Sequence, residues 1–198
     1  SRSKAQQRVV TWWDENAEML MAHSWFNLDF PGRPAFLACS GTVGSYTASR
    51  TEFIGRNGIP ASPEAMRRRN LGAQTGRFHD NCGALMHTLE LAPGETAEVV
   101  FMLGQCETVE AAHALVTRLR APGAAESELE AARAEWRGLL GTIQARTPDE
   151  KLDFMVNGAA LYQSLACRVW GRTATYQSSG AYGFRDQLQD SLALLDVR

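Results

Sequence analysis

The chain has 198 residues and a mass of 21.8 kDa, which allows one domain, or one domain and part of another. Apolar residues make up 44% and charged residues 21%, as is usual for globular proteins. Twenty basic against twenty-two acidic residues leave a formal charge of −2, which argues against an electrostatically driven nucleic-acid binder. No apolar run reaches the length of about 20 residues that spans a bilayer, and we expect no membrane contact by this segment.

The chain up to about Cys106 has the patterns of β-structure. Runs of β-branched, aromatic and other apolar residues, bounded by Gly, Pro, Asn and Asp, predict strands. These strands are expected at residues 9–13, 17–26, 35–39, 46–54, 85–91 and 98–103. Ser62 before Pro63 predicts the N-cap of a short helix. The Pro93-Gly94 pair predicts a turn that joins the last two strands in a hairpin.

After Cys106 the patterns are those of α-helices. Thr108 is expected to cap a helix that runs to about Arg120, and a second helix is expected at 126–144. Thr147 and Glu150 have the spacing of a capping box, which predicts the start of a third helix. Apolar residues then recur at a period near 3.6 and predict one buried face, formed by Leu152, Met155, Val156, Ala159, Tyr162, Ala166 and Val169.

The end of the chain is expected to be a polar loop at 171–183 and a final helix from Phe184. Apolar side chains of this helix form one stripe, made of Leu188, Leu192 and Leu195. One helical hairpin at a terminus cannot bury both of its faces, so we expect the chain to be an internal segment of a longer protein. Strands followed by helices define an α+β fold class.

The strongest candidate site is the start of the final helix. Arg185 and Gln189 stand four residues apart, as do Asp186 and Asp190, and such pairs are neighbours on a helix surface. Like charges at this spacing destabilise a helix, whereas carboxylates, guanidinium and amide groups together suit the hydroxyls of a sugar. The alternative is an ordinary helix start, where acidic residues are favoured by the helix dipole.

Other chemical groups have simpler interpretations. Asp186 and Asp190 are expected to bind rather than catalyse, because acid–base pairs of glycosidases normally lie on two elements. His79-Asp80-Asn81-Cys82 is assigned a structural role, because neighbouring residues of a strand point to alternate faces. The four cysteines are separated by long stretches and are expected to be buried thiols in a reducing compartment: Cys39, Cys82, Cys106 and Cys167.

The stretch from Tyr176 to Asp190, which includes YGFRDQLQD, resembles a signature of the glycoside phosphorylases of glycoside hydrolase family 94, formerly glycosyltransferase family 36. Residues 51–58, 80–85 and 91–95 are similar to motifs of that family's sandwich domain. Within the family, the signature is most similar to the phosphorylase-like region of cyclic β-1,2-glucan synthases. The resemblance covers most of the chain, from about Val9 to its end.

This resemblance implies an antiparallel β-sandwich, a helical linker and the first helices of an (α/α)6 barrel. The corresponding domains would be residues 1–106, 107–146 and 147–198. The implied reaction is inverting phosphorolysis, in which a carboxylic acid protonates the leaving oxygen while inorganic phosphate attacks the opposite face. The implied sugar-binding residues are Arg185, Asp186, Gln189, Asp190 and Tyr182.

The family's general acid and phosphate-binding residues lie in later motifs that these 198 residues do not contain. We therefore assign no catalytic residue and no metal to this segment, and expect it to be inactive by itself. The resemblance implies no cofactor, inorganic phosphate as co-substrate and a β-glucoside or β-glucan oligosaccharide as ligand. The resemblance implies a cytoplasmic location, with the parent protein tethered to the inner membrane if it is a cyclic glucan synthase. It leaves open whether the parent protein forms a homodimer.

Two alternatives belong to other functional classes. The first is a carbohydrate-binding β-sandwich module with a structural helical tail, in which Trp12 or Trp13 would contact the sugar. The second is a protein that interacts with partners through its helices and has no affinity for saccharides. Sugar binding that depends on Arg185 and Asp190 would distinguish the enzyme segment from both.

Overall fold

The structure is a computed structural model that describes residues 8–25, 32–77, 80–170, 173–174, 177–178, 184–192 and 194–195. It divides into two compact units, residues 1–125 and 126–198. The strands of the first unit are β1 (Val9–Asp14), β2 (Met19–Ser24), β3 (Pro34–Cys39), β4 (Ser45–Ser49), β5 (Asn81–Met86) and β6 (Phe101–Gln105). Its helical elements are α1 (Arg50–Ile54), a 3-10 turn (Glu64–Arg67) and α2 (Val109–Leu119).

The strands form two antiparallel sheets. The four-stranded sheet has the order β1-β2-β3-β6, and the two-stranded sheet pairs β4 with β5. The alternation of side chains along β2 explains how the sheets are packed, because Met19 and Met21 point to one face and Leu20 to the other. Gly83 of β5 approaches Leu37 of β3 so closely that a Cβ would lie 3.2 Å from its side chain, which places the small sheet on the Leu20 face.

Helix α2 covers the opposite face of the four-stranded sheet. Thr108 caps the helix as the sequence predicts, since its hydroxyl accepts a hydrogen bond from the Ala111 N–H at 3.1 Å. Ala112 and Val116 are fully buried one turn apart. They pack with Met19, Met21, Phe36, Ala38 and Met102 in the core of the first unit. The expected strands at 9–13, 17–26 and 35–39 are confirmed as β1 to β3.

Three local predictions in this unit are wrong. The strand expected at 46–54 ends at Ser49, whose side chain accepts a hydrogen bond from Glu52 N–H and begins α1. Ser62 is not an N-cap, because the 3-10 turn begins after Pro63 and has no side-chain cap. The strand expected at 85–91 lies earlier, as β5.

The hairpin predicted around Pro93-Gly94 does not form. The turn itself is present, with Glu95 N–H bound to Ala92 O at 3.0 Å and Gly94 at φ 84°. However, β5 pairs with β4 and β6 pairs with β3, so the chains on either side of the turn join different sheets. Local turn chemistry fixes a reversal of the chain, but the partners of the strands depend on distant residues.

The second unit consists mainly of helices. They are α3 (Ala124–Leu140), α4 (Glu150–Phe154), a first π-helical segment (Met155–Ala159), α5 (Ala160–Gln163), a second π-helical segment (Ser164–Trp170) and α6 (Phe184–Leu192). A two-residue pair, β7 (Thr173–Ala174) with β8 (Gln177–Ser178), lies in the expected polar loop. The helix predicted from Phe184 is confirmed as α6. The remaining residues of 171–183 lie outside the described part of the chain.

The third predicted helix is present, but its start and its buried face differ from the prediction. Asp149, not Thr147, is the N-cap, and its carboxylate accepts hydrogen bonds from Lys151 and Leu152 N–H. Among the side chains of this segment that the structure describes, Leu161 and Leu165 are the buried ones, whereas Leu152 is half-exposed. A π-helical turn contains more residues than an α-helical turn, so two such segments shift the phase of the helix and break its 3.6-residue period.

Candidate functional site

Helix α6 carries the predicted sugar-binding residues. The backbone of Arg185 and Gln189 is one helical turn apart, and both side chains are exposed. Asp186 and Asp190 occupy the same spacing on this helix, although their side chains lie outside the described part of the structure, as does Tyr182 altogether. At this spacing on a helix the Cβ atoms are about 5–6 Å apart, so each pair can contact one small ligand.

The helix packs against the second π-helical segment. Of the predicted leucine stripe, Leu188 and Leu192 lie on α6, whereas Leu195 lies beyond its end, and all three side chains are more than half exposed. The residues of α6 that the structure describes therefore present both polar and apolar groups to solvent. Their role in binding sugar stays a prediction, and so does the three-part division of the chain at residues 106 and 146.

Cys82 and its neighbours behave as structural residues. Burial and the carboxylates of Glu52 and Asp80 raise the pKa of the Cys82 thiol to about 11, although the nearby guanidinium of Arg50 opposes this. A thiol with this pKa is protonated at neutral pH and is a poor nucleophile. Asp80 lies 3.3 Å from Arg50 in an ion pair, while His79 lies outside the described residues.

The other described cysteines are also free thiols. Cys39 is buried and Cys106 is half-buried. Burial raises the pKa of Cys39, although a hydrogen bond with the backbone of Gly41 and the charge of Arg120 partly oppose this effect. In the described ranges, no group of three or more His, Cys, Asp or Glu side chains could hold a metal ion. The helices of those ranges include none that is long and apolar enough to cross a membrane.

The tryptophans of the first unit are mostly engaged in packing. Trp12 packs against the core of the unit. Trp13 stacks on Tyr46 with ring centroids 4.0 Å apart and an angle of 8° between the planes, so one face of its indole is covered. The structure thus gives little support to a sugar platform formed by Trp12 or Trp13.

The motif at residues 51–58 forms α1 and the loop that follows it. This loop borders an open groove of about 780 Å³, together with the 3-10 turn. Glu52 is almost completely buried, and its carboxylate binds Arg68 at 2.7 Å. The exposed Arg67 pairs with Glu64 at 3.3 Å, so Arg67 and Arg68 both bind neighbouring acidic side chains.

An aromatic cluster in the second unit has no counterpart among the sequence predictions. Trp136 of α3 lies next to Tyr162 of α5 and Trp170 of the second π-helical segment, with centroid distances of 5.0 and 5.2 Å. The sequence assigned Tyr162 to a buried helix face, although it is half-exposed in the structure. No local sequence signal marks the cluster, because Trp136 is far along the chain from Tyr162 and Trp170.

Comparisons with known proteins relate both units to one family. Residues 1–122 match the model of the glycosyl hydrolase 94 supersandwich domain, and residues 135–198 match that of the glycosyl hydrolase 94 superfamily catalytic domain. The chain is 41% identical over 98% of its length to the cyclic beta-(1,2)-glucan synthase NdvB of Rhizobium meliloti (strain 1021).

Two phosphorylases are also similar to the chain. It is 30% identical over 87% of its length to solabiose phosphorylase of Paenibacillus borealis, and 28% identical over 80% to N,N'-diacetylchitobiose phosphorylase of Vibrio proteolyticus. The chain spans 7% of the synthase and 21% and 20% of the two phosphorylases. Since a family model matches well over half of its residues, the chain belongs to the glycosyl hydrolase 94 family.

Proposed function

We propose that this chain is a segment of an enzyme that processes β-linked glucosides, and that α6 binds the donor sugar of that enzyme. The observation that carries the proposal is the pair of exposed polar side chains, Arg185 and Gln189, one turn apart on a helix of the family's catalytic domain. Further support comes from the names of the relatives, a β-(1,2)-glucan synthase and several phosphorylases.

The proposed reaction is phosphorolysis or a related transfer of a glucosyl group. The β-glycosidic bond breaks, inorganic phosphate attacks the anomeric carbon from the opposite face, and a carboxylic acid gives its proton to the leaving oxygen. Arg185 would donate hydrogen bonds to sugar hydroxyls, Asp186 and Asp190 would accept them, and Gln189 could do either. Tyr182 would cover a C–H face of the ring.

The chain alone is expected to lack this activity. By family resemblance, the acid and the phosphate-binding residues belong to motifs that these 198 residues do not contain. Incubation of the chain with a β-glucan oligosaccharide and inorganic phosphate should therefore release no glucose phosphate. Release of glucose phosphate would contradict the proposal that the acid lies elsewhere.

The donor-sugar role is tested in the longer protein that contains this segment. Arg185→Ala should lower kcat/KM by about ten- to a hundredfold, because a hydrogen bond from a charged group contributes about 1.5–3 kcal/mol. The matched control is Arg67→Ala, which removes an exposed arginine paired with Glu64 in the first unit. Equal kcat/KM for Arg185→Ala and the unmodified enzyme would overturn the assignment of the site.

The substitution Asp190→Ala tests whether Asp190 binds the donor sugar or is only an ordinary surface residue of the helix. Asp190 lies in the last turn of α6, where the helix dipole does not favour an acidic side chain, so without a bound sugar the substitution should slightly raise the free energy of unfolding and leave kinetics unchanged. If Asp190 accepts hydrogen bonds from the donor sugar, kcat/KM falls while thermal stability changes little. Measurement of both quantities on the same protein sample decides between them.

A further inference from the structure

Trp136, Tyr162 and Trp170 form a partly exposed aromatic cluster on the second unit. The planes of Trp136 and Tyr162 are tilted by 52°, and those of Trp136 and Trp170 by 61°. Neither contact is a face-to-face stack, and Tyr162 and Trp170 keep 49% and 59% of their surface exposed. Trp136 therefore supports the two outer rings at their sides and leaves much of their surface to solvent.

The surroundings of this aromatic cluster contain hydrogen-bond donors. Trp136 also lines an open groove of about 570 Å³ on α3, together with Arg133, Arg137 and Gln144. Guanidinium and amide N–H groups donate to hydroxyl oxygens, and the electron-rich face of an aromatic ring attracts the slightly positive C–H groups of a pyranose. Trp136 is the ring beside these donors and contacts both Tyr162 and Trp170, and an aromatic surface next to such donors suits a carbohydrate better than a purely apolar ligand.

The cluster lies close to the proposed donor-sugar helix within the same unit. Trp170 ends the second π-helical segment, and α6 packs against that segment. π-Helical segments are rare and occur often at functional sites, where they change the direction of side chains. A sugar chain bound near α6 could thus extend onto the rings.

We propose that Tyr162 and Trp170, supported by Trp136, form a stacking surface for the glucose units of a β-linked glucan chain. The ligand class rests on the proposed function. The surface supplies affinity for glucose units beyond the one that α6 holds, and its rings favour a polymer over a single sugar because two rings can contact two units.

The test is a calorimetric titration of the 198-residue chain with a linear oligosaccharide of β-1,2-linked glucose. Trp170→Ala and Tyr162→Ala should each raise the Kd about tenfold, as expected from the loss of one ring contact. Tyr162→Phe, which keeps the ring, should leave the Kd within about twofold. The matched controls are Val169→Ala, a half-exposed neighbour without a ring, and Trp25→Ala, an exposed tryptophan of the first unit.

Several results would overturn the proposal. They are no binding by the unmodified chain, an equal loss of affinity in Val169→Ala and Trp170→Ala, and unchanged affinity in both ring variants. The proposed function fails separately, if Arg185→Ala leaves kcat/KM of the longer protein unchanged. Loss of oligosaccharide binding in Arg185→Ala but not in Trp170→Ala would overturn the stacking surface and support the donor-sugar helix.

Discussion

Arg120, at the end of α2, connects the helix to three separate points of the sheet region. Its Nε donates to Cys39 O at 2.9 Å, its Nη1 to Ala17 O at 2.7 Å and its Nη2 to Glu18 O at 3.0 Å. A planar guanidinium can satisfy three carbonyl groups in fixed directions, which the flexible ammonium of a lysine cannot do. No sequence pattern marks this residue, because its partners are about 80 to 100 positions earlier in the chain.

Arg120→Ala should lower the free energy of unfolding by about 2–4 kcal/mol, because three carbonyl groups lose charged donors in a partly buried place. Urea-induced unfolding followed by far-UV circular dichroism measures this change. The matched control is Arg67→Ala, whose exposed ion pair with Glu64 should contribute less than about 1 kcal/mol. Equal destabilisation by the two substitutions would contradict the role of Arg120.

Asp14 connects the turn between β1 and β2 to α2. Its Oδ2 lies 2.7 Å from His113 Nε2, and its Oδ1 accepts hydrogen bonds from the N–H groups of Asn16 and Ala17. Burial acts to raise the pKa of Asp14, but the hydrogen bond and charge of His113 and the two backbone donors hold it below its ordinary value of 3.8.

The lowered pKa of Asp14 predicts a pH-dependent contribution to stability. The unfolded chain takes up the proton first as the pH falls, so the contribution is complete above the ordinary pKa and is lost as the pH decreases through the lower pKa of the folded state. The destabilisation caused by Asp14→Asn should thus be fully present at about pH 5 and should decrease below about pH 4. Unfolding in urea at several pH values measures it.

The matched control for this experiment is Asn16→Ala. Its side chain is exposed, and only its backbone N–H binds Asp14, so the substitution keeps every hydrogen bond of the carboxylate. A constant difference between Asp14→Asn and the unmodified protein down to pH 2 would show that the carboxylate charge does not stabilise the fold.

At the scale of single elements, two residues, Asp149 and Thr147, bind backbone N–H groups around the start of α4. Asp149 caps the helix, with 2.9 Å from its carboxylate to Lys151 N. Thr147 stands outside the helix, where its hydroxyl binds the N–H of Asp149 at 3.1 Å, and its own N–H donates to the carboxylate of Asp153. A capping box is not formed, because the third residue of α4 is Leu152, which has no polar side chain to bind the N–H of Asp149.

Asp149→Ala should lower the free energy of unfolding of the helical unit by about 1 kcal/mol, because the first turn of α4 loses its side-chain acceptor. Asp149→Asn should be nearly neutral, since asparagine is an equally good N-cap. Thermal unfolding of the three proteins measures the difference. An equal loss in both variants would mean that the charge of Asp149, and not its cap, stabilises the helix.

Element-level prediction from sequence succeeds where the signal is local. β1 to β3, α2 and α6 follow from apolar runs, the Thr108 cap and the turn residues between them. It fails where distant residues decide, as for the partners of β5 and β6. It also missed the local cap of Ser49, which begins α1 at residues 50–54, and the buried face of the segment 150–170. Two π-helical segments changed that face, and the apolar period gave no sign of them.

At the scale of the whole molecule, the candidate site was predicted only in part. The helix that presents Arg185 and Gln189 is local and could be read from the sequence, whereas its contact with the segment ending at Trp170 could not. The aromatic cluster joins α3 to a segment about 30 residues later in the chain, and amino-acid composition alone does not show which residues are in contact. The family resemblance predicted which residues bind sugar, whereas the contacts between the described residues are known only from the structure.

The order β1-β2-β3-β6 also has a consequence for synthesis of the protein on the ribosome. Residues 40–100 lie between β3 and the strand that pairs with it, so the hydrogen-bonding edge of β3 is free until that whole stretch has been translated. Closure of such a long loop is slow, and a free edge can pair with another nascent chain. We therefore expect the vulnerable period for aggregation to end when Phe101–Gln105 leaves the exit tunnel.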